Sequence, residues 1–265
     1  MTTPSSAELD AGATPSAAPA SAQRRRAWVQ VQKGMLSRVL YPNPVCLLSV
    51  WDAAQRTRNV MTITWLTPVN NQGGFICSVN CNRHTATFIN TPGSIFVLNV
   101  PVRGMEALVL AVGGCSGAQI DKFEVLDITL CAPGGGPLSA DKADPQLSSS
   151  NGIDNSEDTV IGDSTPAPEA SAAKKQKVSK QQLARQAIAQ AAEQSIAIQD
   201  CVAHVVCRVE TAQIDDGHWT LCCSQLAAWC REDYWDGRNF IPRSPDAVPY
   251  LTFLGSKVFG YVSPA

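Results

Sequence analysis

Residues 58–68 read RNVMTITWLTP, and within this run Met61, Ile63 and Trp65 alternate with Thr62 and Thr64. A period of two is the mark of a strand with one apolar and one polar face. Working outward, similar β-rich runs occupy 44–51 (PVCLLSVW), 74–80 (GFICSVN), 94–100 (SIFVLNV), 201–211 (CVAHVVCRVET) and 218–229, each bounded by Gly, Pro or Asn. Short helices fit 84–90 and 104–112. Many short strands with few long helices predict a mainly β fold, an antiparallel barrel or sandwich with accessory helices.

The chain has 265 residues, enough for one large domain or two small ones. Apolar residues make up 45% and charged residues 17%, and 21 Lys plus Arg nearly cancel 23 Asp plus Glu. No sequence-wide field attracts nucleic acid or acidic lipid, so the expected partner is a small molecule or another protein chain. No stretch approaches the roughly 18 to 20 apolar residues of a membrane span, and the first residues, with Glu8 and Asp10 in an Ala/Ser/Pro run, lack the apolar core of a secretory signal. A cytoplasmic protein with reduced thiols is expected. Of its ten cysteines, Cys46, Cys77, Cys131, Cys201, Cys207, Cys222, Cys223 and Cys230 fall in or beside apolar strand-like runs and read as small hydrophobes. Cys77, Cys81 and His84 make a C-x3-C-x2-H cluster without a fourth ligand or a C-x2-C pair, and no metal is expected there.

Two stretches lack the residues of a core. Residues 1–27 are mostly Ala, Ser, Thr and Pro and read as a disordered arm; 133–178 opens with PGGGP, holds no aromatic residue or cysteine, and reads as a low-complexity insertion. After it, Ser179 and Gln182 have capping-box spacing and predict a helix over about 180–197, within the insertion segment 179–198. Its stripe comprises Ile188, Ala192 and Ile196 beside Leu183, Ala187 and Ala191. The folded mass is then 28–132 plus 199–265, sharing one core. Lys174, Lys175 and Lys177 read either as a basic nuclear-import signal or as a solvated charge cluster.

The chemistry concentrates in the first half. One face of the strand predicted over 58–66 offers the hydroxyls of Thr62 and Thr64, and NRHT at 82–85 opens a short helix with a guanidinium, an imidazole and a hydroxyl. Convergent donors of this kind hold phosphate monoesters, through a bidentate arginine and main-chain N–H groups at a helix start. The same triplet reads equally as a solvent-facing loop, and the residues alone leave both readings open. VGGCSG at 112–117 lacks the Lys and Ser/Thr of a P-loop, so its glycines read as a turn.

NVMTITW, then RHTATFINTPGSIFVLNVP, then GCSGAQIDKFE, followed by DCVAHVVCRVE, GHWTLCCSQLAAWCREDYW and PYLTFLGSKVFGYVSP, resemble in order and spacing the flavin reductase-like family of FMN-binding split barrels, in its flavoredoxin-like branch. The resemblance covers 28–132 and 199–265. It implies a six-stranded antiparallel Greek-key barrel that forms a homodimer, with FMN near the subunit interface. It places the strand Met61, Thr62, Ile63, Thr64 and Trp65 beside the ribityl chain and ring. Ser78, Asn80, Arg83, His84 and Thr85 fall where the family holds the phosphate, with Lys122 at the site's edge and Asn99 at the pocket floor. Asn99 and Lys122 read equally as a satisfied structural hydrogen bond and a surface charge.

The implied activity is hydride transfer between NAD(P)H and bound flavin, in which the cofactor carries the chemistry. His218, in Asp216-Gly217-His218, stands where family reductases carry a G-D-H-like turn and is the candidate for meeting flavin or nicotinamide; a hydrogen-bonded loop histidine is the other reading. Cys223 replaces the glycine expected five residues beyond it. A second function therefore stands beside the enzyme: a non-catalytic flavin-binding or interaction protein whose insertion recruits a partner.

Overall fold

The 58–68 run forms two strands, not one. In chain order the strands are β1 (Asn43–Pro44), β2 (Cys46–Asp52), β3 (Thr57–Ile63), β4 (Leu66–Pro68), β5 (Gly74–Asn80), β6 (Ile95–Val100), β7 (Leu130–Cys131), β8 (Ala197–Ile198), β9 (Ala203–Asp215), β10 (His218–Cys230), β11 (Tyr250–Gly255) and β12 (Val258–Val262). The helices are α1 (Ala86–Ile89), α2 (Glu106–Gly114), α3 (Lys122–Val125), α4 (Ala140–Ala143) and α5 (Lys180–Glu193). This computed structural model describes residues 30–143 and 179–263. The predicted arm, most of the low-complexity insertion and the lysines at 174, 175 and 177 lie outside the described residues. Met1–Leu36 and Ser37–Ala265 are separate units.

Seven strands form one sheet in the order β3-β2-β6-β9-β10-β5-β4, and every ladder in it is antiparallel. β3 and β4 are consecutive in the chain yet lie at opposite edges. Flat, a seven-stranded sheet would hold its edges roughly 29 Å apart, whereas the steps from Ile63 to Leu66 reach about 11 Å at most. The sheet must therefore curl until its edges meet at Thr64 and Trp65, which makes it a split barrel. The expected six strands become seven because the strand predicted over 58–66 breaks at this seam. A small sheet, β1-β11-β12, adds three short strands, of which β11 and β12 were not among the sequence expectations.

Alternation decides what fills the barrel. Leu48, Val50, Ile63, Phe75, Val79, Phe96, Leu98, Val209 and Leu221, together with Cys46, Cys77, Cys207 and Cys223, form one buried cluster. The opposite faces of β2 and β3 place Leu47 and Val60 in a second cluster with Val109 and Val112 of α2 and Phe123 of α3. β2 is thus covered on both sides, which explains its nearly unbroken apolar sequence. Burial pushes the Cys46 thiol up to about 12, and the contact with Cys77 followed by burial raises that of Cys223; these thiols act as core volume. Cys222 departs from that expectation: it is exposed on β10. Among the described residues, no three His, Cys, Asp or Glu side chains converge to hold a metal. No helix of the described residues is long and apolar enough to cross a membrane.

The insertion leaves and returns at one place. Leu130 pairs with Ile198 and Cys131 with Ala197 in the β7–β8 ladder. Ser179 caps α5 by accepting from the Gln182 N–H at 3.1 Å, as the sequence predicts. The helix ends at Glu193 rather than 197, because Ile196–Ile198 are buried and Ala197 and Ile198 are drawn into the ladder. Of the predicted stripe, Ala191 and Ile196 are buried, whereas Leu183 is exposed.

Candidate functional site

A cleft of about 430 Å³ lies between β3, the turn that follows β5, and the segment joining α2 to α3. Asn59, Met61 and Thr62 come from the strand, Arg83, His84 and Thr85 from the turn, and Gly113 to Gly117, Gln119 and Lys122 from the far wall. The turn is shaped by Asn80, whose Oδ1 accepts from the Asn82 N–H at 2.9 Å while its main-chain carbonyl accepts from Arg83 N–H at 3.0 Å. An Asx turn of this kind projects the next side chains out of the sheet. The helix expected at 84–90 is a single turn, α1, too short for its dipole to matter.

Two cations face this cleft. Lys122 is 5% exposed and donates from Nζ to the carbonyls of Val60 at 2.9 Å and Val112 at 2.8 Å. It therefore straps β3 to the end of α2, and one of its three N–H bonds remains beyond those two. Burial lowers its pKa, the Cys115 thiol opposes that shift, and the neighbouring Arg83 adds to it. Arg83 is exposed and has no ion pair among the described residues. No Asp or Glu lines the cleft. In a chain with a formal charge of −2, this acid-free pocket carries two cations, a local excess of positive charge.

The remaining sequence candidates lie apart. Trp65 is 44% exposed at the barrel seam, its ring 5.5 Å from that of His218, with its indole N–H donating to the Tyr41 hydroxyl at 3.2 Å. Ser78 shares a mostly apolar groove with Trp65 and Tyr41, not the cation cleft. Thr64 sits in the seam itself. His218 lies 3.1 Å from the Asp216 carbonyl through Nδ1 and 3.5 Å from Asn80 Nδ2 through Nε2. A neutral ring with Nδ1–H donating and Nε2 accepting satisfies both contacts. Asp216 (φ 44°) and Gly217 (φ 71°) form the two-residue loop of the β9–β10 hairpin, whose Asp-Gly sequence suits a tight turn with both φ positive. The Asp-Gly-His segment is thus first a hairpin turn, and Cys223 lies inside the barrel, remote from the turn's surface.

Three candidates have other work. Thr62 donates its hydroxyl to the Val109 carbonyl of α2 at 2.6 Å. Ile63 is buried in the barrel core. Asn99 is fully buried outside the cleft: its Nδ2 donates to the Leu47 carbonyl at 2.7 Å and to Ser49 Oγ at 2.9 Å, and its Oδ1 accepts from Ile198 N–H at 2.9 Å. Of its two sequence readings, the satisfied structural bond is what the structure contains, so Asn99 is not on a pocket floor. Met61, Thr62, Arg83, His84, Thr85 and Lys122 do meet in one cleft. Asn59 and Gly117 on its walls were missed, because one reads as the start of a strand and the other as a turn glycine.

Residues 36–143, which include every residue lining this cleft, match the family described as flavin reductase like domain. A flavoredoxin from Methanosarcina acetivorans has a similar structure, with TM-score 0.56 and 16% identity over 91% of this chain and 94% of that one. An FMN-binding protein from Thermus thermophilus gives TM-score 0.52 and 14% identity over 90% and 94%. An NADH:FAD oxidoreductase of Streptomyces globisporus gives 0.51 and 13% over 91% and 99%. Identities this low establish a common fold. No curated protein sequence matches the chain. The domain match and the fold support the family read from the motifs: flavin reductase-like, with flavoredoxins among its structural neighbours.

Proposed function

We propose that this protein binds FMN and works as a flavin oxidoreductase with NAD(P)H as hydride donor. The observation that carries the reading is the acid-free cleft, where Arg83, Lys122 and the Thr85 hydroxyl converge. Those groups fit a phosphate monoester, the charged end of FMN. When bound, the flavin supplies the two-electron hydride chemistry.

The chain's own residues bind and orient. Arg83, exposed on the cleft wall, would hold the dianion, and Lys122, fixed by two carbonyls, would add positive charge from a position that needs no rearrangement. The seam at Thr64 and Trp65 follows directly on Met61 and Thr62, so a flat ring attached to the anchored phosphate would run along that strand toward Trp65 and His218. His218 at that end would offer the ring a hydrogen-bonding edge. Exposed Leu40 and Trp65 beside the apolar groove support the homodimer, which sedimentation equilibrium tests.

A visible spectrum with flavin bands after reconstitution with FMN, together with NADH or NADPH oxidation above the uncatalysed rate, is the expected outcome. Flavin binding without turnover would leave a binding protein. No binding would overturn the proposal.

A further inference from the structure

Behind the cations, the cleft wall contains a mismatch. Asn59 is 2% exposed, and its Nδ2 donates to Thr85 Oγ1 at 2.9 Å. Its Oδ1 is the buried side-chain polar atom without a partner among the described residues. Thr85 is 1% exposed and stands at the N-cap of α1, yet its side chain makes no capping bond. Its oxygen accepts from Asn59, and among the described residues nothing accepts its proton. A buried carbonyl without a donor and, beside it, a buried hydroxyl without an acceptor are both costly. The arrangement leaves a donor aimed away from Asn59 on the wall of a cationic cleft.

The far wall makes the arrangement possible. A Cβ at Gly117 would fall 2.1 Å from Asn59 Oδ1, so the main chain of Gly117 covers that carbonyl and any larger residue would displace the amide. Turning the amide over would leave an orphan N–H under Gly117 and would capture the Thr85 proton. The structure holds the orientation with Nδ2 on Thr85, which keeps the Thr85 proton for a ligand.

We infer that Asn59 is a positioning residue for recognition of a phosphate ester: it fixes the Thr85 hydroxyl as a donor to the anion, and Gly117 is the gap that permits it. This rests on the flavin-phosphate reading above. Its consequence is selectivity for the phosphorylated ligand, because the dephosphorylated one offers that proton only a neutral hydroxyl in place of a charged phosphate oxygen.

Fluorescence titration with FMN and with riboflavin tests it. Wild type is expected to prefer FMN. Asn59→Leu, close in volume, is expected to weaken FMN by about tenfold, the scale of one hydrogen bond to a charged group, and to leave riboflavin unchanged. Thr85→Val should do the same, Thr85→Ser should keep the preference, and adding Asn59→Leu to Thr85→Val should cost nothing further. Gly117→Ala reaches the same mechanism without changing either partner and should also lower the FMN preference selectively. Equal loss of both ligands, or additive losses in the double variant, would overturn the inference and leave Asn59 structural. A wild type that binds riboflavin as well as FMN would instead strike the phosphate reading itself.

Discussion

Two clefts share a wall in this molecule, through His84, Gly117 and Gln119, and they treat charge in opposite ways. The larger, about 910 Å³, is lined by Asp52, Asp121 and Glu124 as well as Arg56 and Arg58. Its central cation is already matched: the Arg58 side chain is 5% exposed, donates to Asp121 at 2.8 Å and to the Lys142 and Ala143 carbonyls at 3.1 and 2.8 Å, and lies over the Phe123 ring at 5.4 Å. The smaller holds Arg83 and Lys122 with no acid on its walls. Volume favours the first as a binding site and charge the second. An arginine that has its carboxylate holds the fold together, whereas one without has something left to offer a ligand.

The sharpest way to break this contrast is to reverse one charge in each cleft. Arg83→Glu is expected to weaken FMN by about 3 kcal/mol or more, since a charge-assisted bond is lost and repulsion added, while the melting temperature stays near that of wild type because the side chain is exposed. Arg58→Ala should do the converse. It takes from Asp121 its ion-pair partner and removes the tie from β3 to the start of the insertion, at a cost of about 2 kcal/mol in stability after allowing for the partial exposure of its partners, with FMN affinity within a few-fold. Titration and thermal melts on both variants read this directly. If Arg58→Ala abolished binding and left stability alone, the roles of the clefts would be exchanged. Salt sharpens the same point: raising it from 50 to 500 mM should weaken FMN by about three- to tenfold, because exposed Arg83 is screened, and should leave riboflavin nearly unmoved.

How much of this could be read from residues alone follows from what each signal depends on. β2, β5 and β6 were legible within a residue or two because their apolar pattern and flanking Gly or Pro are local. The break in 58–68 was not, since it is imposed by closure of the sheet, and no residue between Ile63 and Leu66 announces it. β7 and β8 are two residues each and exist only because the insertion must return to its start. In the cleft, Arg83 and Thr85 were legible through NRHT. The isolation of Arg83 from acids depends on which loops fold over it, and the importance of Asn59 depends on a glycine 58 positions away. Asn99 shows the converse: its residue type suggested chemistry, and the fold made it a buried bonding post.

Acid offers the smallest and most selective perturbation, because one histidine belongs to the insertion junction and to neither cleft's walls. His204 is 5% exposed; its Nδ1 accepts from the Gly134 N–H at 3.1 Å and its Nε2 lies 2.9 Å from the Ile198 carbonyl. Both bonds are met by the neutral ring with Nε2–H donating, so His204 joins the point where the insertion leaves to the point where it returns. Burial lowers its pKa below 6.5, with the Ile198 carbonyl partly opposing that shift. The stability it contributes is therefore complete above the unfolded-state value of 6.5 and is lost as pH falls through the depressed folded value. Protonation places a hydrogen on Nδ1 against the Gly134 N–H, and the junction opens. Melts between pH 7.5 and 5 should show a falling midpoint, and His204→Gln should flatten that slope while lowering the starting value. Carboxylates with depressed pKa values, such as Glu106 and Asp141, release their contributions only below this window. Amide exchange at 132–136 should rise with acid before exchange at 59–62 does, since the cation cleft has no part in the bond being broken; simultaneous opening of both would mean that junction and cleft are one cooperative unit, and the contrast between the two clefts would then be one of charge and not of independent stability.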